Sequence, residues 1–129
     1  MSDPVADMLT RLRNANQALL PDVEVSHSKM KESIAQILKR EGYLAEVAVE
    51  GATATKKLKL KLKYNGRKGV IAGLKRVSKP GLRRYVGATE IPRVLNGMGI
   101  SIVSTPKGVM TGNDAKKQNV GGELVAFIW

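Results

Sequence analysis

Val5, Met8, Leu9 and Leu12 are spaced i, i+3, i+4 and i+7, which predicts a helix near the N-terminus with one apolar face. Asp3 suits the cap of that helix, and Pro4 suits its first position, where a missing N–H costs nothing. The pattern fades at residues 14–16, and Pro21 separates it from a short extended run at 23–26. Ser28 caps a second predicted helix, with Met30, Ile34, Ile37 and Leu38 on its buried face and Gly42 as its stop. Residues 43–50 read as a strand and 51–55 as a small-residue loop. In "KKLKLKLKY" the period falls to two. Leu58, Leu60, Leu62 and Tyr64 share one face of a strand, and Lys57, Lys59, Lys61 and Lys63 share the other. Asn65-Gly66 is a hairpin turn signal.

The remainder predicts strands at 70–77, 82–86, 100–104 and 123–129, with a turn at Lys79-Pro80-Gly81. A short helix is expected at 92–96, ended by Gly97 and Gly99, and a second turn at Val120-Gly121-Gly122. The fold class is therefore α+β, in two small domains docked together. Residues 1–66 form an α-β-α-β-β domain with both helices on one face of the sheet. Residues 67–129 form a mostly β domain with short helices.

Charge sharpens this picture. The chain has 129 residues and a net charge of +11. Residues 1–53 hold 6 Lys and Arg against 8 Asp and Glu, a net of −2; residues 54–129 hold 16 against 3, a net of +13. Such asymmetry points to a polyanionic partner. Lysines on an exposed strand can equally be solvation, or protection of an edge. Here Arg67, Lys68, Lys75, Arg76, Lys79, Arg83, Arg84 and Arg93 follow with only Glu90 among them to offset them, which favours phosphate binding.

Candidate chemistry is sparse. There is no cysteine and a single histidine, His27, so neither a disulfide nor a metal site is expected, and no cofactor. The phosphate-cradling, nucleophile-elbow, dinucleotide and zinc-protease motifs are all missing, and an enzyme is not expected. No apolar run approaches the roughly 20 residues that span a bilayer, and the acidic start does not read as a secretory signal. A cytoplasmic protein without a membrane partner is the expectation.

The stretch "VSTPKGVMTG" at residues 103–112 invites a binding reading. Ser104, Thr105 and Thr111 each carry a hydroxyl that donates and accepts, and Gly108 permits close approach of a partner to the backbone. Such groups can read base edges, sugar hydroxyls and phosphates. The competing reading is a plain turn whose hydroxyls bond their own backbone.

Five ordered blocks carry a resemblance: "DPVADMLTRLRNA" (3–15), "SKMKESIAQILKREGY" (28–43), "RVSKPGLRRY" (76–85), "GMGISIVSTPKGVMT" (97–111) and "VGGELVAFIW" (120–129). With these the chain resembles the small-subunit ribosomal protein S-eight family in its bacterial form. The resemblance implies two α+β domains and direct binding to an irregular helix in the central domain of small-subunit ribosomal RNA, early in subunit assembly. It implies RNA contacts from Ser104, Thr105, Lys107, Gly108, Tyr85, Gly122 and Glu123, with Lys29 and Lys31 adding basic contacts from the N-terminal domain. Lys79, Arg83 and Arg84 complete the expected basic rim. Expected partners are that RNA, neighbouring small-subunit proteins and, because some members repress their own translation, the protein's own messenger RNA. The family loop usually reads Ser-Thr-Ser, whereas Pro106 stands third here, and residues 112–119 also depart from the family pattern. The rival reading is an architectural RNA- or DNA-binding protein without a fixed site.

Overall fold

Residues 3–129 are described by a computed structural model, and they divide into two units, Pro4–Ile71 and Ala72–Trp129, with Asp3 belonging to the second. The division falls at 71/72 rather than at 66/67, because the Asn65-Gly66 turn closes a small hairpin inside the first unit.

In the first unit, helix α1 (Pro4–Gln17) buries Val5, Met8, Leu9, Leu12 and Ala15, the apolar face expected from their spacing. Strand β1 (Asp22–Ser26) leads to helix α2 (Lys29–Arg40). The Ser28 side chain accepts a hydrogen bond from the Lys31 amide at 3.1 Å, as an N-cap should. At the other end Gly42 takes φ +88°, and the Tyr43 and Gly42 amides bond the Leu38 and Lys39 carbonyls. This double closure is the glycine-terminated helix end that the sequence signalled. One expectation is corrected: Met30 is only half-buried, and the inner face of α2 is made by Lys31, Ile34, Ala35, Ile37 and Leu38.

Strands β2 (Leu44–Glu50) and β3 (Lys57–Leu62) complete an antiparallel sheet with β3 in the centre, and β4 (Tyr64–Asn65) pairs with β5 (Lys68–Gly69). Leu58, Leu60 and Leu62 are buried, so the faces of β3 follow the period of two. The half-buried Tyr64 donates its phenol hydrogen to the Leu20 carbonyl at 2.5 Å, which holds the chain just after α1.

The opposite face of β3 corrects the charge reading. Lys61 stands opposite Asp22 on β1 and Glu46 on β2; Lys59 stands opposite Glu24; Lys57 stands opposite Glu50. Residues directly opposed across strands share a face, so the lysine row lies between two partly acidic rows. Glu46 also accepts from Lys39 at 2.7 Å, and that bond first, then the Val47 amide and the Lys39 charge, hold its carboxyl below the usual range. This face is neutralised within its own sheet.

The second unit is built on its last strand. Strands β6 (Leu74–Arg76), β7 (Tyr85–Val86), β8 (Ile100–Thr105) and β9 (Gly108–Thr111) precede helix α3 (Gly112–Lys117) and strand β10 (Gly122–Ile128). β10 pairs with β8 along one edge, and with β6 and β7 in succession along the other. Ile91, Val103, Met110, Ala115 and Leu124 form one buried cluster in it, and Ile102, Val125, Ala126 and Ile128 are fully buried as well. The Trp129 backbone exchanges two hydrogen bonds with Gly73, and a methyl at Gly73 would overlap the indole.

Three expectations change here. The strand read at 70–77 is reduced to β6. The strand read at 82–86 is a strand only at Tyr85–Val86, with Leu82 in a separate bridge to Lys79. The helix read at 92–96 is replaced by a 3-10 turn at Leu95–Gly97, in which Leu95, Asn96 and Gly97 take φ of 47°, 54° and 91°. Left-handed backbone cannot continue an α-helix, so Pro92 and the glycines mark a sharp loop instead.

Candidate nucleic-acid interface

The register of β10 assembles the expected site. Glu123 stands opposite Tyr85 of β7 on one side and Ser104 of β8 on the other, so the three side chains project from one face. Gly121 and Gly122 make this closeness possible. A methyl on Gly122 would overlap the Ser104 carbonyl, and one on Gly121 would overlap the Val86 carbonyl. Tyr85, Val86, Ser104, Thr105, Pro106, Gly121, Gly122 and Glu123 line an open hollow of about 530 Å³.

The stretch at 103–112 is a β-hairpin. Thr105 pairs with Gly108, leaving Pro106 and Lys107 as its two-residue tip. The Thr105 hydroxyl donates to the Gly108 carbonyl at 2.8 Å and accepts from the Lys107 amide at 3.1 Å. This threonine is 9% exposed, and its hydroxyl shapes the turn in the way a Ser/Thr turn does. Pro106, fixed near φ −65°, suits the first corner of such a turn. Gly108 carries the positive φ, +118°. Ser104 is half-buried, and its hydroxyl has no hydrogen-bond partner among the described residues. Lys107 is exposed at the tip.

Glu123 sits at the centre. Its carboxylate accepts from the Ser78 hydroxyl at 2.5 Å and from the Arg83 guanidinium at 2.9 Å. Burial alone pushes its carboxyl up. The bonds from Ser78 and Arg83, with the charges of Arg83 and Arg76, outweigh burial and hold it below the usual carboxylate range. Ser78, fully buried, also accepts from the Arg84 amide at 3.1 Å, so one hydroxyl ties the 78–84 loop to β10. Sequence reading missed Ser78, whose only signal was a small polar residue ending an apolar run. Arg76 is held in turn by Asp3 at 3.1 Å and by the Val125 carbonyl at 2.7 Å.

Tyr85 is 71% exposed, and Lys79, Arg83 and Arg84 are exposed around it. Tyr85, Ser104, Thr105, Lys107, Gly108, Gly122 and Glu123 therefore fall on the β7–β10–β8 edge and the hairpin that extends it. Lys29 is exposed at the start of α2 in the other unit. Lys31 is a correction. It is 4% exposed, and its ammonium donates to Ser26 at 2.9 Å, so it is a structural lysine rather than a surface cation.

Among the described residues, no group of three or more His, Asp or Glu is placed to hold a metal ion, and no helix is long and apolar enough to cross a membrane. The chain is thus a two-unit α+β protein in which an exposed ring, a free hydroxyl and braced cations meet on one glycine-backed stretch of sheet. Comparison with known proteins makes this specific. The model of the family described as Ribosomal protein S8 matches residues 3–129, and the chain belongs to that family. Its relatives include the small ribosomal subunit protein uS8 of Nitratidesulfovibrio vulgaris (strain DP4), 59% identical over 129 residues, covering 100% of this chain and 99% of that one. The protein of the same name from Spiroplasma kunkelii is 57% identical over 129 residues, covering 100% and 99%. That from Mesoplasma florum is 56% identical over 128 residues, covering 99% and 98%.

Proposed function

We propose that the protein is a structural constituent of the small ribosomal subunit in the cytoplasm, where it binds an irregular helix in the central domain of the ribosomal RNA and supports subunit assembly. The observation that carries this reading is the register that brings Tyr85, Glu123 and Ser104 side by side. An exposed tyrosine ring stacks on an unpaired base, and a free hydroxyl reads a base edge or a 2′-hydroxyl where A-form geometry keeps side chains out of the major groove. Glu123 fixes the direction of Arg83, and Arg83, Lys79, Arg84 and Lys107 meet phosphates. Thr105 and Gly108 act through the shape they give the hairpin, and Gly122 through the close approach it allows. Lys29 adds a contact from the first unit. Neighbouring small-subunit proteins complete the assembly, and the protein's own messenger RNA, folded to present the same local surface, is a second RNA partner of this site.

Ser104→Ala tests the reading. The hydroxyl is neutral and releases no counterions. Its loss is expected to weaken binding to the cognate helix by roughly 1–3 kcal/mol, by analogy with base-edge contacts in DNA, without altering the salt dependence. Filter binding at several salt concentrations, with cognate and unrelated RNA, reads both quantities. Undiminished affinity for the cognate helix would show that the hairpin is only a turn. Equal weakening on both RNAs would favour an architectural binder without a fixed site.

A further inference from the structure

The second unit carries another polar hollow, of about 290 Å³, built by the loop that begins at Ile91, by the start of β8 and by α3. It shares no lining residue with the hollow at Tyr85 and Ser104. Arg93 and Lys116 line it from two different elements; both are exposed, and neither has an ion-pair partner among the described residues. No carboxylate lines it. Asn96 and Asn113 supply amides. Ser101, on β8, is only 6% exposed, yet its hydroxyl has no hydrogen-bond partner among the described residues. The hydroxyl oxygen is not sealed in the core: it lines the hollow, where it is open to a ligand or to water. Gly112 keeps that space open, because a methyl there would overlap the Ser101 hydroxyl.

Two free cations, donor amides and an unpaired hydroxyl around a space without carboxylates suit an oxyanion that offers several acceptor oxygens. A guanidinium and an ammonium together match a phosphate group better than a neutral polar ligand, since charge-assisted bonds are the strong ones. We propose that this hollow is a second phosphate-binding site, separate from the Tyr85–Ser104 surface, and that it takes either a backbone phosphate of the bound RNA or a free phosphate group.

The test is an NMR titration of the full 15N-labelled chain with inorganic phosphate, at ionic strength matched with chloride. Saturable shifts of the amides at 96–101 and 111–113 are expected. In the Arg93→Gln, Lys116→Gln double variant the apparent affinity should fall about tenfold, as expected for lost charge-assisted bonds. Ser101→Ala should weaken it as well, and the spectra themselves report whether each variant is folded. Repeating the titration on the complex with the cognate ribosomal RNA helix separates the sources. Loss of the phosphate response means that an RNA phosphate already fills the hollow, and a persisting response means that the site takes a free phosphate group. The absence of saturable shifts at these amides with both phosphate and RNA, or an unchanged response in the double variant, overturns the proposal. Shifts at Tyr85 and Ser104 on adding RNA report the recognition surface independently, so failure of one site is distinguished from failure of the other.

Discussion

Glu123 ties the stability of the fold to the surface proposed for RNA. A carboxylate on a surface that takes RNA would repel phosphates unless its charge were matched; here Arg83 matches it and Ser78 bonds it. Because its folded carboxyl is held below the ordinary range, the pair stabilises the fold above that range. The contribution should disappear as pH falls through the folded value. Thermal melts of the wild type between pH 7 and about pH 3, below the ordinary glutamate value near 4.3, should show that acid limb. Glu123→Gln should be less stable at neutral pH and show a flatter limb; parallel curves would remove the carboxylate from this role. The glutamate could be singled out in the sequence as odd among cations. Its partner Ser78, 45 positions away, could not, because nothing local announces which hydroxyl a distant carboxylate will meet. Thr105 divides the same way: hydroxyls and a glycine marked a polar turn, but only the structure separates Thr105, whose hydroxyl is used inside the hairpin, from Ser104, whose hydroxyl is free.

At the scale of elements, long periodic segments were legible and short ones were not. α1, α2 and β3 each repeat an apolar spacing often enough to fix their type, and in α1 and β3 the buried face as well. Leu60 illustrates this: it has no exposure and sits mid-strand on the inner face. Leu60→Ala should cost about 2–5 kcal/mol, the range for emptying a buried leucine site, in a denaturant melt. A loss below about 1 kcal/mol would mean that the neighbours collapse onto the gap. By contrast, α3 has six residues with one apolar side chain, Ala115, and β9 has four residues next to a glycine turn. Neither offers a period to read. They form because the Thr111 side chain accepts from the Asp114 amide at the start of α3, and because Met110 and Ala115 join a core completed by distant strands. The Lys31 misreading has a similar cause, since a lysine on the inner face of a helix looks like any other until Ser26 is found beside it.

For the whole molecule, charge is the quantity most changed by folding. Divided as the units divide, Pro4–Ile71 holds 13 Lys and Arg against 7 Asp and Glu, a net of +6; Ala72–Trp129 with Asp3 holds 9 against 4, a net of +5. The contrast of −2 with +13 came from cutting the chain at residue 53, between strands that pair in one sheet. Net charge therefore does not rank the units as RNA binders; the arrangement of the charges does. Lys57 and Lys59 each face an acid on one flank and Lys61 on both, whereas Lys107 stands alone at a hairpin tip. Lys107→Gln should flatten the slope of log affinity against log salt by about 0.7–1, the value of one phosphate contact. Replacing Lys57, Lys59 and Lys61 together by Gln should change it by less, although three charges are lost. A larger change from the triple variant would place RNA on the outer face of the first sheet.

The clasp between Gly73 and Trp129 has an optical consequence. The chain contains one tryptophan, and it is packed in the second unit, whereas among the described residues 26 of the 32 in α-helices, those of α1 and α2, belong to the first. Indole fluorescence thus follows the unfolding of Ala72–Trp129, and helical ellipticity follows mainly that of Pro4–Ile71. A single melt observed by both signals carries a separate spectroscopic label for each unit, with no dye attached and no residue changed.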